Sequence, residues 1–307
     1  MNSHTDSNVM IFFGMNIMLT VLIPTLGRES LSQVLTSILF SHKAKVVLLA
    51  HGLECFENLK RFSEHPRVEL ILCDKNLSIS DLCNIGLDTV TTEYFSFFSD
   101  DDDWDPKKIN VLLALLEDKH DIDIAVGSTL EISQSKKLVR PTTLLAKDEQ
   151  IFVYLYGHAT VFGNKRYIGL QDAVMRGGRY PRFREGWSVY EDIIWLSDSQ
   201  QQGKRISAVS DIVSVKYPSL QRSNLRQTVQ SSINMFEVIS QVNQAVGIRY
   251  FRFHSVRAAI ATGDIRNYIE LVFARYSRVG VFWSDILLVP IQFIELIVFK
   301  ALRRLQN

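Results

Sequence analysis

Residues 94–106 read YFSFFSDDDDWDP, so an apolar run delivers four consecutive aspartates before Trp104, Asp105 and Pro106. Adjacent carboxylates repel, and such a cluster needs either water or a cation around it. An acidic turn capping the next helix would use only Asp105 ahead of Pro106, leaving Asp100 to Asp103 without a role. A set of hard oxygen ligands for Mg²⁺ or Mn²⁺, which in turn hold phosphates, uses the whole cluster. Asp101, Asp102 and Asp105 also spell DDxxD, but that diphosphate motif needs one helical face, and Pro106 with the β-rich YFSFF opposes a helix there.

A second acidic pair, Glu191-Asp192 in YEDIIW, comes roughly ninety residues later. A hydroxyl nucleophile needs a carboxylate to take its proton as it attacks. That base must act on the face opposite a phosphate-bearing leaving group, so one acidic cluster cannot do both tasks. Read alone, the pair is two solvated acids opening a helix, where the helix dipole favours them.

The elements that must hold these groups alternate along the chain. Strands are predicted at 18–24, 45–50, 68–73, 94–99 and 122–127, with helices at 30–40, 54–63, 80–88 and 106–117. Ser30 and Gln33 are spaced as a capping box for the first helix. The alternation predicts an α/β fold, a doubly wound, mainly parallel, Rossmann-like sheet. In such sheets ligands bind beyond the carboxyl ends of the strands, where 94–99 delivers its aspartates.

With 307 residues, 47% hydrophobic and 22% charged, the chain is globular, one large domain or one domain with an appendage. Cys55, Cys73 and Cys83 form no CxxC, which fits a reducing compartment and no zinc site. The net charge of +1 hides an asymmetry: residues 216–307 carry 12 Lys and Arg against 5 Asp and Glu. Those basic residues are spread singly among apolar ones, which suits a lipid surface and not nucleic acid. In 285–304 the polar residues Gln292, Glu295, Lys300, Arg303 and Arg304 share about half of a helical wheel, so the segment is either an interfacial helix or one packed on the core. Asp285, Glu295 and Pro290 oppose a spanning helix. No Lys or Arg precedes the apolar stretch 9–24, so no secretory signal is expected, and 1–14 reads as a dispensable extension.

Three ordered blocks within 19–206 carry a resemblance. TVLIPTLGRESLSQVLTSIL resembles the opening strand and helix of family 2 glycosyltransferases, NLSISDLCNIGLDTVTTEYFSFFSDDDDWDPKKI its Asn-Gly helix and DxD loop, and YEDIIWLSDSQQQGKRI its Glu-Asp helix and following strand. The resemblance implies a GT-A fold and metal-dependent transfer of a sugar, with inversion, from a nucleotide-sugar donor. By position it makes Asp101 the metal aspartate, with Asp100 and Asp102 beside it as donor ribose or second contacts. Pro24, Thr25 and Arg28 match the first nucleotide-binding loop, and Asn84 falls on the Asn-Gly helix. Asp192, with Glu191, matches the catalytic base. His158 and Trp187 fall where the family builds its acceptor pocket, although a structural His and a core Trp fit the same residues. Arg222 sits where a loop closes over the diphosphate.

The chain departs from the pattern at Ala50 and His51, where the family has a base-contacting acid, and at Ser99 and Cys83, in place of Asp and Arg. The expectation is a GT-A domain over 15–220 and a helical, membrane-facing region over 221–307. A glycan or lipid-linked acceptor, a role in surface polysaccharide or glycolipid synthesis and a peripheral cytoplasmic location suit such a tail. A non-catalytic nucleotide-sugar-binding protein on the same fold is the alternative, motivated by the missing donor contacts.

Overall fold

The computed structural model describes residues 18–41, 44–100, 103–104, 106–132, 137–159, 166–216, 229–255, 265–280, 289–290, 292–294 and 297. β1 (Leu19–Thr25), β2 (Ala44–His51), β3 (Val68–Cys73) and β4 (Tyr94–Phe97) alternate with α1 (Leu31–Ser41), α2 (Leu53–Leu59) and α3 (Ile79–Leu87). After the two-residue β5 (Asp103–Trp104) come α4 (Pro106–Asp118), β6 (Ile124–Ile132), β7 (Lys137–Arg140), α5 (Ile151–Tyr156), β8 (Ala173–Arg176), α6 (Glu191–Gln201) and β9 (Ile206–Lys216). α7 (Val229–Val242), α8 (Gln244–Arg249), a π-helical turn (Tyr250–Ser255) and α9 (Ile265–Val279) follow.

The sheet runs β3-β2-β1-β4-β8-β6-β9-β5, with β7 on the side of β6. β1 pairs in parallel with both β2 and β4. The chain therefore winds outward from β1 to β3, then returns to β4 on the other side of β1. That reversal opens a crevice beyond the carboxyl ends of β1 and β4, the place where doubly wound sheets bind ligands. β8 is antiparallel to β4 and β6, and β6 is parallel to β9.

Period-two alternation splits the core into two layers. Leu22, Val47 and Leu49 face one side, and Val21, Ile23, Val46 and Leu48 the other. The second layer is closed by α1 and α4 through Leu31, Val34, Ile109 and Leu112. On the first, Gly86 lets α3 lie hard against β1 and β2, since a Cβ there would come 3.0 Å from Leu49 Cδ1 and 3.2 Å from Leu22 Cδ1. The same layer runs without a break into the C-terminal helices, joining Leu82, Phe97 and Trp195 to Met235, Ile239, Tyr250 and Leu271. Trp195 of α6 is its centre, stacked on Phe183 at 5.0 Å and on Tyr180 at 5.3 Å, with its indole N–H donating to the Pro181 carbonyl at 2.9 Å.

The expected strands and helices form, with several shifts. The predicted strand 122–127 extends to Ile132 because it gains β9 as a partner, and the predicted helix 54–63 ends at Leu59 and passes into a 3₁₀ turn. β8 and the edge strand β5, antiparallel to the end of β9, carry too little apolar pattern to announce themselves. Ser30, expected as a cap, donates its hydroxyl to the Asp100 carbonyl at 2.6 Å. A capping box forms instead at Ser78 and Asp81, at the head of α3. Among the described residues no helix is long and apolar enough to cross a membrane.

Candidate active site

The crevice at the switch point is a cavity of about 450 Å³. The loop after β1 supplies Pro24, Thr25, Leu26 and Arg28 to its wall, and the end of β4 supplies Phe98, Ser99 and Asp100. His51 follows from β2, Cys83 from α3, Gln171 from the turn before β8, and Glu191 and Asp192 from the first turn of α6. Asp100, from the first acidic group, and the Glu191-Asp192 pair thus share one cavity.

Asp100 is 1% exposed, and its carboxylate is taken up entirely by the β1 loop. Thr25 Oγ1 donates to Oδ2 at 2.6 Å, the Leu26 amide donates to the same oxygen at 3.3 Å, and Arg28 forms an ion pair with Oδ1. The loop can present these donors because Gly27 turns it with a φ of +76°, and the Gly27 amide donates to Thr25 Oγ1 at 2.8 Å. Asp100 is therefore an anchor for the β1 loop, with both of its oxygens engaged. Asp101 and Asp102 lie outside the described residues, as does Arg222. Among the described residues no three His, Cys, Asp or Glu side chains are grouped to hold a metal ion.

The carboxylates across the cavity are treated in the opposite way. Burial raises the Glu191 carboxyl far above its ordinary range and the neighbouring Asp192 raises it further. Glu191 Oε2 is shut off from solvent and accepts no hydrogen bond. Burial also raises Asp192, against the pull of the Ile193 amide, which donates to Asp192 Oδ1 at 2.7 Å, and of the Lys216 ammonium. The two titrate together as a coupled pair, both pushed up by burial. Cys83, whose thiol burial pushes well up, and the buried Asp172 interact electrostatically with the pair. Asp172 accepts from Thr129 Oγ1 at 2.6 Å and from Ser214, and burial raises it too. Lys216 reaches Tyr167 Oη at 2.6 Å, closing this second polar group beside the pair.

Other residues chosen from the sequence sit elsewhere. Asn84 is buried with both ends of its amide committed to Phe183: Nδ2 donates to the carbonyl at 2.9 Å and Oδ1 accepts from the amide at 2.8 Å. It fixes Phe183, which does line the cavity, and does not face the cavity itself. Trp187 joins its backbone to Ser80 and packs its half-buried ring on the core, whereas the adjacent Ser188 lines the cavity. His158 is exposed and lies 3.9 Å from Glu149. His51, where the resemblance expects an acid, lines the cavity and donates Nε2–H to the Leu77 carbonyl at 3.1 Å. Gln171, Asp172 and Lys216 were not found from the sequence, because an isolated polar residue beside a short strand has no spacing to mark it.

The sequence model for glycosyl transferase family 2 matches residues 20–176. Among solved structures, S. aureus TarS 1-349 in complex with UDP-GlcNAc is similar, with a TM-score of 0.59 and 13% identity over 92% of this chain and 89% of that one. The mannosyltransferase PcManGT from Pyrobaculum calidifontis, in complex with GDP-Man and Mn²⁺, gives 0.52 and 13% over 92% and 86%. At such identities the likeness shows the fold, which is GT-A with a helical C-terminal part. No curated protein matches the chain.

The raised Glu191 carboxyl has a consequence for stability. Its folded value exceeds the unfolded one of about 4.3, so its contribution is fully present below that pH and is lost as pH rises toward the folded value. Glu191→Gln, which mimics the protonated acid, should match wild type at about pH 4 and melt a few degrees higher at about pH 8. Melting curves at the two pH values check this; an equal offset at both would mean that Glu191 is not held protonated.

Proposed function

The chain belongs to glycosyl transferase family 2, and on that premise we propose that it is a metal-dependent inverting glycosyltransferase moving a sugar from a nucleotide-sugar donor to a glycan or lipid-linked acceptor. The observation that carries the reading is the shared cavity: a carboxylate pair on one wall faces a polar, Arg-bearing loop on the other. Pro24, Thr25 and Arg28 contribute the donor side, with Arg28 turned toward its Asp100 anchor. Asp192 takes the proton of the acceptor hydroxyl as that oxygen attacks the anomeric carbon. Glu191, protonated beside it, keeps a second charge from building up in the same apolar wall. Attack from the α6 side with departure of the diphosphate toward the β1 loop inverts the anomeric centre.

Asp101 is the residue proposed to hold Mn²⁺ or Mg²⁺, with Asp102 next to it; Asp100 does not fit that role, because its oxygens are already engaged. A divalent ion there would neutralise charge on the leaving diphosphate. Residues 15–220 would form the GT-A domain and 221–307 a helical region on an anionic membrane surface, at the cytoplasmic face, in surface polysaccharide or glycolipid synthesis. Support for the membrane reading comes from the exposed Ile269 and Phe273 of α9, which border an apolar groove with Val289, Pro290 and Phe293. Ile294 and Ile297 continue that exposed face. The remaining polar residues of the 285–304 wheel, apart from Gln292, lie outside the described residues.

Asp192→Asn keeps size and loses basicity, and should lower turnover by about 100-fold or more with little change in donor affinity. Lost affinity with turnover intact would remove Asp192 from the base role. In the same assay Asp101→Ala should abolish dependence on added Mn²⁺; unchanged dependence would place the ion elsewhere.

Removing residues 281–307 should stop sedimentation with anionic vesicles while donor hydrolysis survives. Aggregation with a lower melting temperature would instead show that the segment covers the core.

A further inference from the structure

Tyr190 immediately precedes the carboxylate pair and has a left-handed backbone, with φ +68° and ψ 5°. Apart from Asp148 it is the only described non-glycine residue with positive φ. A ring-bearing residue stays in that region only where its surroundings over-determine it. No side chain caps α6 at this point, but the Tyr190 carbonyl accepts from the Ile194 amide at 3.0 Å and so starts the helix. The conformation of Tyr190 therefore sets where Glu191 and Asp192 emerge.

What grips Tyr190 comes from beyond the sugar-transfer sheet. Tyr250, at the start of the π-helical turn, donates its hydroxyl to Tyr190 Oη at 3.2 Å and meets the ring edge-on at 6.1 Å. Tyr250 is itself fixed, edge-on to Tyr156 of α5 at 4.9 Å and stacked with His254 at 5.5 Å. Burial pushes the Tyr156 and Tyr190 phenols well up and takes His254 down to about 4, so this wall is uncharged near neutral pH. A π-turn is an uncommon element that recurs at functional sites, and here it delivers both Tyr250 and His254 to the wall.

We propose that Tyr250 is a positioning residue for sugar transfer: through the Tyr190 hydroxyl it holds the left-handed entry to α6 and so aims the Glu191-Asp192 pair into the cavity. The inference rests on the catalytic reading of that pair. It gives the C-terminal helices a part in catalysis separate from any membrane contact. The hydroxyl pair acts as a unit, because loss of either hydroxyl breaks the same Tyr250–Tyr190 bond. Relaxation of Tyr190 would then move the carboxylates by a fraction of an ångström or more, and reacting groups displaced by about 1 Å can lose 100-fold in rate.

The test uses the full chain, with release of nucleoside diphosphate from UDP-GlcNAc and GDP-mannose as probes, and compares Tyr250→Phe, Tyr190→Phe, the double variant and Asp192→Asn. Each tyrosine variant keeps its ring and should fold. The expected result is a kcat lower by about 10-fold or more in each, with donor KM within about 2-fold, and a double variant no worse than either single one. A ¹³C titration of the Glu191 carboxyl supplies a readout independent of turnover. Its groups facing the pair are Asp192, Lys216, Asp172, Cys83 and Tyr156. Entry of water at the loosened helix start should lower the Glu191 midpoint by the same amount in all three tyrosine variants. Unchanged kcat and midpoint in Tyr250→Phe, with Asp192→Asn inactive, overturn the positioning role and leave the catalytic reading standing. Additive losses, or kcat and KM moving together with a lower melting temperature, also overturn it, as a structural role alone. An Asp192→Asn variant that still turns over removes the premise and the proposal with it.

Discussion

The ties between Asp100 and the β1 loop organise the site. β1 and β4 are parallel neighbours whose following segments diverge, so the crevice between them has no ladder of hydrogen bonds to define it. Two oxygens of one buried carboxylate take over that task, binding the Thr25 hydroxyl, the Leu26 amide and the Arg28 guanidinium. Such charge-assisted bonds are roughly twice as strong as neutral ones. Removing a donor would leave the buried Asp100 carboxylate short of a partner, which favours this arrangement of the loop. The Asp100 carbonyl, accepting from Ser30, extends the tie to the residue just ahead of α1.

The site is built from two opposite uses of negative charge. On the β4 side both oxygens of the carboxylate are given partners. On the α6 side Asp192 keeps the Ile193 amide, while Glu191 Oε2 is buried and unbonded. The first arrangement makes a polar wall in which Arg28 is tied to Asp100. The second keeps two carboxyl groups side by side in a wall with Leu82, Cys83 and Phe183, where burial raises both. The wall is possible because α6 is pinned from behind by Trp195, and because the aromatic cluster around Tyr250 closes the remaining side.

Much of this was legible in the sequence, for stated reasons. The β1 and β2 runs are apolar on both faces, and strands of that kind announce a buried parallel sheet. The placement of the aspartates after β4 and of the Glu-Asp pair at a helix start followed from the same alternation. The role of Asp100 did not, because four identical letters in a row give no means of telling an anchor from a ligand. The bond between Asn84 and the Phe183 backbone was hidden for a related reason: a polar side chain on a helix beside a crevice does not show its distant backbone partner. Tyr190, Tyr250, Asp172 and Lys216 were invisible, since their meaning lies in contacts 42 to 60 residues apart in the chain.

Direct titration of UDP-GlcNAc and GDP-mannose into wild type and Asp100→Asn tests the organising role of that carboxylate most directly. The substitution keeps the shape of the side chain and removes the charge that holds Arg28. Asp100 is 1% exposed and both its oxygens are bonded to the β1 loop, so loss of binding is expected to pass through the loop. Donor affinity at least about 10-fold weaker, with the α/β circular dichroism retained, is the predicted result. Wild-type affinity in Asp100→Asn would contradict a donor site shaped by the β1 loop.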